Sequence, residues 1–536
     1  MYKSLQTDVL VIGGGLAGCR AAIAAGSRGY KSLLICGSKP GHSGNSSRAS
    51  GGFATAIGPA DSPSIHSKDI QSSGYDLSDR SLVEQITSLA AERFLELAEI
   101  APDFIRTEEQ FVLHKVPVHS QIRSIQYSLG MAHLMTTLGR ECESQGVEIK
   151  TANHALYLLN DENGNVAGAQ VFDSRHKQEY RITAKSVVIA SGGCAPLYPV
   201  NSNDPTLCGS SYALALMAGC KLRDMEFIQF TPTAFAFPDS LKGHTIVGTL
   251  LTLPGVTLTN CHGERFMQKY DTKLLEQSDR ATLARSIHRE VMAGGGSEQD
   301  GVYLDLRSVP IDVLDQHRPG FLELCKSNGI DPQHDLLQTA PSAHTCLGGI
   351  VVDLTMQAKV GLFAAGEAIG GLHGANRLAS NSLMEANVTG WIAGQSAADY
   401  ASQKPSSNSL TEQFEHNISC TQNNPHTAQN IRRTMGNYVG VSRDASGLEK
   451  AKLELEKIMK AEASSSEPST AANHQLHHML MTASAVVQAA LLRKESRGAH
   501  YRSDFPKQDD KHWTGNQYSS LLNEKLETSF KLCKTE

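Results

Sequence analysis

Residues 9–18 read VLVIGGGLAG, and the reading of this stretch decides the fold. Four apolar residues run into a glycine turn, an alanine-rich segment follows, and a second apolar run, SLLIC, occupies 32–36. That order predicts strand, helix, strand, with the two strands parallel and the helix crossing over between them. Gly13, Gly15 and Gly18 make a GxGxxG pattern at the strand-to-helix turn. The first glycine of such a turn allows the tight bend, the second lets backbone approach a pyrophosphate, and the third lets helix and strand pack closely. The helix start adds unpaired N–H groups facing the phosphates. A dinucleotide site is therefore expected. The end of the second strand, Cys36 to Ser38, lacks the acid that holds an adenosine ribose, which disfavours a plain NAD dehydrogenase.

Outward from this unit, VVIASGG at 187–193 and GLFAAGEA at 361–368 repeat the strand-to-glycine theme, so distant segments are expected to build one nucleotide-binding domain. Apolar positions at helical spacing (Leu82, Ile86, Leu89, Phe94, Leu97) predict a helix over 79–100 capped by Asp79. From about 235 to 341 the glycine-strand theme lapses, as an inserted second domain requires. After Tyr400 the composition of ASQKPSSNSL is that of a linker, GLEKAKLELEKIMKA reads as helix, and EASSSEPST at 462–470 reads as a surface loop. GNSSRASGGFATA at 44–56 is either a flexible loop or one whose backbone passes close to a planar or phosphate group.

With 536 residues the chain exceeds one hydrophobic core. A formal charge of −6 and 19% charged residues fit a globular protein and give no basic excess for nucleic acid. Glycines break every apolar run well short of the roughly 20 residues of a membrane span. The first strand starts too soon for a signal peptide, so a cytoplasmic location is the expectation. Eleven scattered cysteines without a CxxC pair predict free thiols, with no metal site and no iron–sulfur ligand set.

Taken in order, VIGGGLAG, RASGGFA, DSPSIHSKDI, MEFIQF, GERFM, YLDLR, APSAHTCLGGI, GLFAAGEA, HGANRLASNSLMEA and RKESRGAHYRSDFPKQDDKHW resemble the flavoprotein family of succinate dehydrogenase, fumarate reductase and L-aspartate oxidase. The wording of HGANRLASNSL and ESRGAHYRSDFP is nearest to L-aspartate oxidases. The resemblance spans nearly the whole chain. It implies an α/β fold: a Rossmann-like FAD-binding domain (1–234 and 342–402) interrupted by an α+β capping domain (235–341), then a C-terminal helical domain (403–536). Implied FAD contacts are Gly14, Leu16 and Ala17 beside the motif glycines, Asn45, Ser46, Ser47, Ser50, Gly51 and Gly52 around the pyrophosphate and flavin edge, Glu367 at the hydroxyls, and Asn381, Ser382 and Leu383 against the ring. Asn45 occupies the position of the histidine that carries FAD covalently in respiratory members, so non-covalent FAD is expected. Ser210 replaces a family aspartate and weakens one contact.

For substrate, the resemblance implies that His344 and Arg377 bind one carboxylate. The guanidinium offers paired donors matched to that group. The other half of the family's grip looks rebuilt. Thr231 stands where members carry histidine, and Thr252 falls at an arginine that moves a proton in fumarate chemistry. No arginine or lysine lies between Thr245 and Cys261. The expected wall, with Leu251 and Leu253, is less cationic, and the expected substrate has one carboxylate and a neutral or bulky far end. The reading is an FAD-dependent oxidoreductase that oxidises a small amino acid or related carboxylic acid, L-aspartate oxidase-like with divergent specificity. The alternatives are a flavoprotein subunit passing electrons to an iron–sulfur or other accepting partner, and an FAD-binding protein without catalysis. L-aspartate oxidase activity itself requires other groups to replace the missing ones.

Overall fold

The structure is a computed structural model that describes residues 4–533 apart from 50–51, 247, 319, 405–424 and 464–470. The site expectations at Ser50 and Gly51, and most of the two predicted loops after Tyr400, lie outside the described residues. β1 (Ser4–Ile12), α1 (Leu16–Gly26) and β2 (Ser32–Cys36) form the expected unit, with β1 and β2 parallel. Every residue of α1 and β2 is buried, Arg20 of α1 included, and β2 accordingly reads as a nearly continuous apolar run rather than an alternating pattern. β3 (Glu148–Thr151) extends the sheet beyond β2, and β4 (Gln178–Ile189) pairs with β1 on the other side. The helix Arg80–Ile100 starts at an Asp79 cap whose side chain accepts from the Leu82 N–H, matching the expectation.

A second sheet follows. β5 (Ile228–Phe235), β6 (Thr257–Thr259), β7 (Val302–Asp305) and β8 (Leu337–Cys346) are antiparallel in the order β5-β8-β7-β6. α2 (Arg280–Glu290), capped by Asp279, packs on β5 and β8. A separate hydrophobic core gathers here, from Phe235 through Leu304 to Leu337.

β9 (Leu362–Ala364) returns to the first sheet and pairs parallel with β4. α3 (Asn381–Ser402) then lies against α1, where Gly390 and Gly394 let the backbones touch: a Cβ at either would stand 2.4 or 2.2 Å from the Ala17 or Ala21 carbonyl oxygen. The C-terminal part contains the expected helices, among them α4 (Ala471–Leu492), and a hairpin that the sequence does not lead one to expect. Its strands, β10 (Gly515–Leu522) and β11 (Lys525–Leu532), join a small sheet with Leu222–Arg223. β11 is mostly exposed and carries charge at alternate positions, a weak strand signal. Among the described residues no helix is long and apolar enough to cross a membrane.

Candidate active site

A cavity of ≈ 630 Å³ opens at the C-terminal ends of β1 and β4, where α1 begins. Gly13 adopts φ +117°, and a Cβ there would lie 2.4 Å from the Ala190 carbonyl oxygen. A Cβ on Gly18 would come within 1.8 Å of the Gly13 oxygen. Gly15 is different: a Cβ would meet only Ser46 Oγ at 3.2 Å, so its missing side chain keeps the cavity open. The first N–H groups of α1 lack intrahelical acceptors, and Leu16 N–H donates to Ser46 Oγ at 3.0 Å. An open glycine turn at a helix N-terminus fits the pyrophosphate of a dinucleotide.

Gly13, Gly14, Gly15, Leu16 and Ala17 all line this cavity, as do Asn45, Ser46, Gly52, Glu367, Ser382 and Leu383. Three expected contacts do not. Gly18 serves helix packing instead. Ser47 turns back to the Ser43 carbonyl, and Asn381 is buried against His66 Nε2 at 2.9 Å. Asn45 is fixed at both ends of its amide: Nδ2 donates to Asn203 Oδ1 at 2.9 Å, and Oδ1 accepts from the Asp204 N–H at 2.9 Å. Glu367 accepts from the Cys346 N–H at 3.1 Å, and burial pushes its pKa up to about 7. One wall has no counterpart among the sequence expectations. His474, Gln475 and His478 reach the cavity from α4, and His478 Nδ1 sits 3.0 Å from Ser210 Oγ. The side chain replacing the family aspartate is thus engaged by the C-terminal domain.

The far end of the same cavity holds Arg280, His344 and Arg377. Gln229 on β5 ties the two arginines together: its Oε1 accepts from Arg280 Nη1 at 3.2 Å, and its Nε2 donates to the Arg377 carbonyl at 3.0 Å and to Asn376 Oδ1 at 3.0 Å. Arg377 Nη1 donates to the Leu378 carbonyl, while its buried Nε has no partner among the described residues. His344, on β8, pairs through Nδ1 with Ser202 Oγ at 2.7 Å. Burial, with Arg280 and Arg377 beside it, holds the imidazole pKa well below the ordinary value, so the ring is neutral. Burial, then the Arg377 charge, pushes Arg280 down to about 9; burial brings Arg377 to about 10 against the opposing pull of Glu385 and Glu367. Neither arginine forms an ion pair among the described residues. Arg377 is buried and Arg280 partly so, and guanidinium groups drawn out of water without an ion-pair partner are costly, so this end of the cavity suits an anion.

Two expectations need correction. Thr252 lies on the turn Gly248–Thr252 and lines neither this cavity nor the adjoining one. The wall is also not short of cations. Arg280 supplies one from α2, a helix outside the segment where the missing arginine was expected, and Arg48 and Arg318 add more. Arg280 did carry a signal. It is the first residue of a helix, where the macrodipole disfavours a cation. Thr231 lines a smaller adjoining cavity of ≈ 90 Å³ that shares Arg280 and Arg377 with the first. It pairs with Ser342 within β5 and β8, so it belongs to a strand and not to a turn.

Comparison with known proteins identifies the family. The family model of the FAD binding domain matches residues 8–383, and that of the fumarate reductase flavoprotein C-terminus matches residues 428–534. One subunit of the fumarate reductase (CoM/CoB) of Methanothermobacter marburgensis is 34% identical, covering 98% of this chain and 98% of its own. L-aspartate oxidase of Caulobacter vibrioides is also 34% identical, covering 95% of each chain. Among solved structures, a chain of Escherichia coli quinol fumarate reductase superposes with a TM-score of 0.90 at 26% identity, covering 100% of this chain and 98% of its own. The chain belongs to the FAD-dependent oxidoreductase family of fumarate reductase, succinate dehydrogenase and L-aspartate oxidase flavoproteins.

Proposed function

We propose that the protein oxidises a small amino acid or related carboxylic acid, with FAD held non-covalently and a substrate carboxylate bound between Arg280 and Arg377. The observation that carries this reading is the placement of two arginines, Arg377 buried and Arg280 partly buried, without ion-pair partners among the described residues, and a neutral histidine at one end of a cavity whose other end is the glycine cradle. FAD, when bound, supplies a two-electron acceptor. The chain's own residues do the rest. Gln229 fixes the spacing of the arginine pair, and the pair orients the carboxylate. His344, anchored through Nδ1 to Ser202, presents its other ring nitrogen toward the substrate. Arg280, whose charge burial disfavours, is the group placed to exchange a proton with a substrate atom beside it. Asn45 has no ring nitrogen to bond the cofactor, and its amide is already engaged with Asn203 and Asp204. The ten described cysteines are all free, in keeping with a reducing compartment such as cytoplasm.

Anaerobic bleaching of the bound flavin tests the reading, with L-aspartate, succinate and a panel of monocarboxylic amino and hydroxy acids as reductants. Bleaching by any of these acids supports it and names the class. No bleaching by any, in protein fully loaded with FAD, refutes it. A second reading is favoured by the name of the Methanothermobacter relative, which makes that protein one part of a larger enzyme. In this reading electrons leave through an iron–sulfur or other accepting partner, and the reduced flavin then reoxidises slowly in air.

A further inference from the structure

α4 forms one wall of the larger cavity, and two of its side chains, one helical turn apart, grip a single turn of the cofactor domain. His478 Nδ1 lies 3.0 Å from Ser210 Oγ, and Thr482 Oγ1 donates to the Gly209 carbonyl at 3.0 Å. Gly209 and Ser210 open the helix Ser210–Met217. Gly209 takes φ +79°, and a Cβ there would stand 2.7 Å from Thr482 Oγ1, so the turn is shaped to admit α4. His474 and Gln475 reach the cavity from the preceding turn of α4.

The surroundings of His478 fix the direction of every hydrogen bond in this contact. Its other ring nitrogen, Nε2, is 3.0 Å from the Leu156 carbonyl oxygen on the strand Asn153–Asn160. A carbonyl only accepts, so Nε2 carries the hydrogen. Burial first, then His477 and His474, brings the pKa of His478 to about 3, so the ring is neutral and Nδ1 is bare. Ser210 therefore donates its one hydroxyl proton to Nδ1. Cys208 Sγ is 3.0 Å from the same oxygen, and burial raises its pKa, so the thiol keeps its proton and donates. A hydroxyl oxygen has room for two donors. Ser210 Oγ has no further partner among the described residues, it is only partly buried, and it lines the cavity. One lone pair is thus left on an oxygen that can no longer donate.

We propose that His478 is a positioning residue of the cofactor site: by taking the Ser210 proton it leaves Ser210 Oγ as an acceptor for a hydroxyl or amino donor of FAD. An oxygen that only accepts has the hydrogen-bonding character of a carboxylate. The pair therefore makes good the contact whose weakening was expected from the serine at this position. It also brings the C-terminal part into the cofactor site, so FAD binding and the seating of α4 on the Gly209–Ser210 turn favour one another reciprocally. The inference goes beyond the proposed function and holds whichever acid is oxidised.

Titration of FAD into the FAD-free protein, followed by flavin fluorescence, tests this. Ser210→Ala removes the acceptor and should weaken FAD binding about fivefold or more, the equivalent of one hydrogen bond. His478→Phe keeps a ring in place, releases the Ser210 proton, and should weaken binding in the same direction. Combined, the two substitutions should cost no more than Ser210→Ala alone, because both act on one contact. The sharper arm adds Ser210→Asp to His478→Phe. A carboxylate accepts without a neighbour to take its proton, so affinity should return to within about twofold of the unsubstituted protein, a recovery that a packing role for His478 does not provide. Melting temperatures of the FAD-free forms serve as controls for folding. FAD affinity unchanged by Ser210→Ala overturns the proposal. So does a loss from His478→Phe that adds in full to that of Ser210→Ala, or one that Ser210→Asp fails to recover. Each of these results leaves the proposed function standing.

Discussion

Gln229 Oε1 lies 3.2 Å from Arg280 Nη1, and the same amide reaches the Arg377 carbonyl at 3.0 Å. One neutral side chain on β5 therefore sets the positions of two cations contributed by distant segments. Gln229→Leu should lower kcat/KM by about 10- to 100-fold, the scale of a lost positioning contact, with FAD content unchanged. Gln229→Glu makes a sharper test. A carboxylate there favours the charged guanidinium, so the pKa of Arg280, pushed down to about 9, should rise, and the alkaline limb of the kcat/KM profile should move to higher pH. Steady-state kinetics from neutral to strongly alkaline pH would show it; an unmoved limb removes Arg280 from the proton-transfer step.

Two glycines of one motif should fail in different ways. Gly18→Ala drives a methyl to 1.8 Å from the Gly13 carbonyl oxygen, and backbone cannot yield that far. The expected outcome is insoluble or unfolded protein. Gly15→Ala meets only a serine hydroxyl at 3.2 Å, so the fold should survive with the melting temperature of the FAD-free protein nearly unchanged. Its methyl points into the space that a pyrophosphate occupies, and FAD affinity should fall by about 10-fold or more. Melting curves with and without added FAD separate the two cases.

What could be read from sequence follows the same division. Runs such as VLVIGG and SLLIC announce a parallel sheet because their apolar residues are all buried, and Gly13 and Gly18 are fixed by contacts within a few residues or through one paired strand. Arg280, His244 and Arg318 were not legible as a cluster. Each is an ordinary basic residue in its own segment, and only the packing of distant segments brings them to one cavity. The family resemblance directs attention to the stretch before Gly263 for an arginine, whereas the arginine that lines the cavity beside Arg377 stands at the start of α2. His478 was hidden for a related reason. Its partner, Ser210, is 268 residues away, and no local pattern marks the pair.

The cofactor site should carry its own pH signature. Burial, reinforced by nearby Glu385, lifts the Glu367 carboxyl to about 7 from an ordinary 4.5. Between those values the folded FAD-free protein binds a proton that the unfolded chain has released. Stability from this group is therefore fully present below about pH 4.5, declines as pH rises toward 7, and levels off above that. Glu367→Gln keeps an oxygen for the Cys346 N–H and removes the titration. Melting temperatures of the FAD-free proteins, followed across that interval, should fall less steeply for the variant. Buried Glu226 is also pushed up to about 7, so only the difference between the two proteins isolates Glu367.

Thr231 is the residue at which a structural and a functional role predict opposite results. It is 2% exposed, sits in register with Ser342 at the edge of a bulge, and lines the smaller cavity with Arg280 and Arg377. Thr233, two residues on, donates to the Ile246 carbonyl at 2.9 Å and secures the strand, whereas the Thr231 hydroxyl makes no hydrogen bond among the described residues. Thr231→Val preserves shape and β-branching and deletes only that hydroxyl. Because no protein partner is left unsatisfied, stability should stay within about 0.5 kcal/mol or rise slightly. If the hydroxyl meets substrate, KM should increase about fivefold, the equivalent of one hydrogen bond of roughly 1 kcal/mol, with kcat and FAD content little changed. Thr233→Val should do the reverse, costing about 1–3 kcal/mol through the orphaned Ile246 carbonyl and sparing KM. Equal KM for the unsubstituted protein and Thr231→Val would assign Thr231 to packing alone, and the site's selectivity would then rest on its arginines.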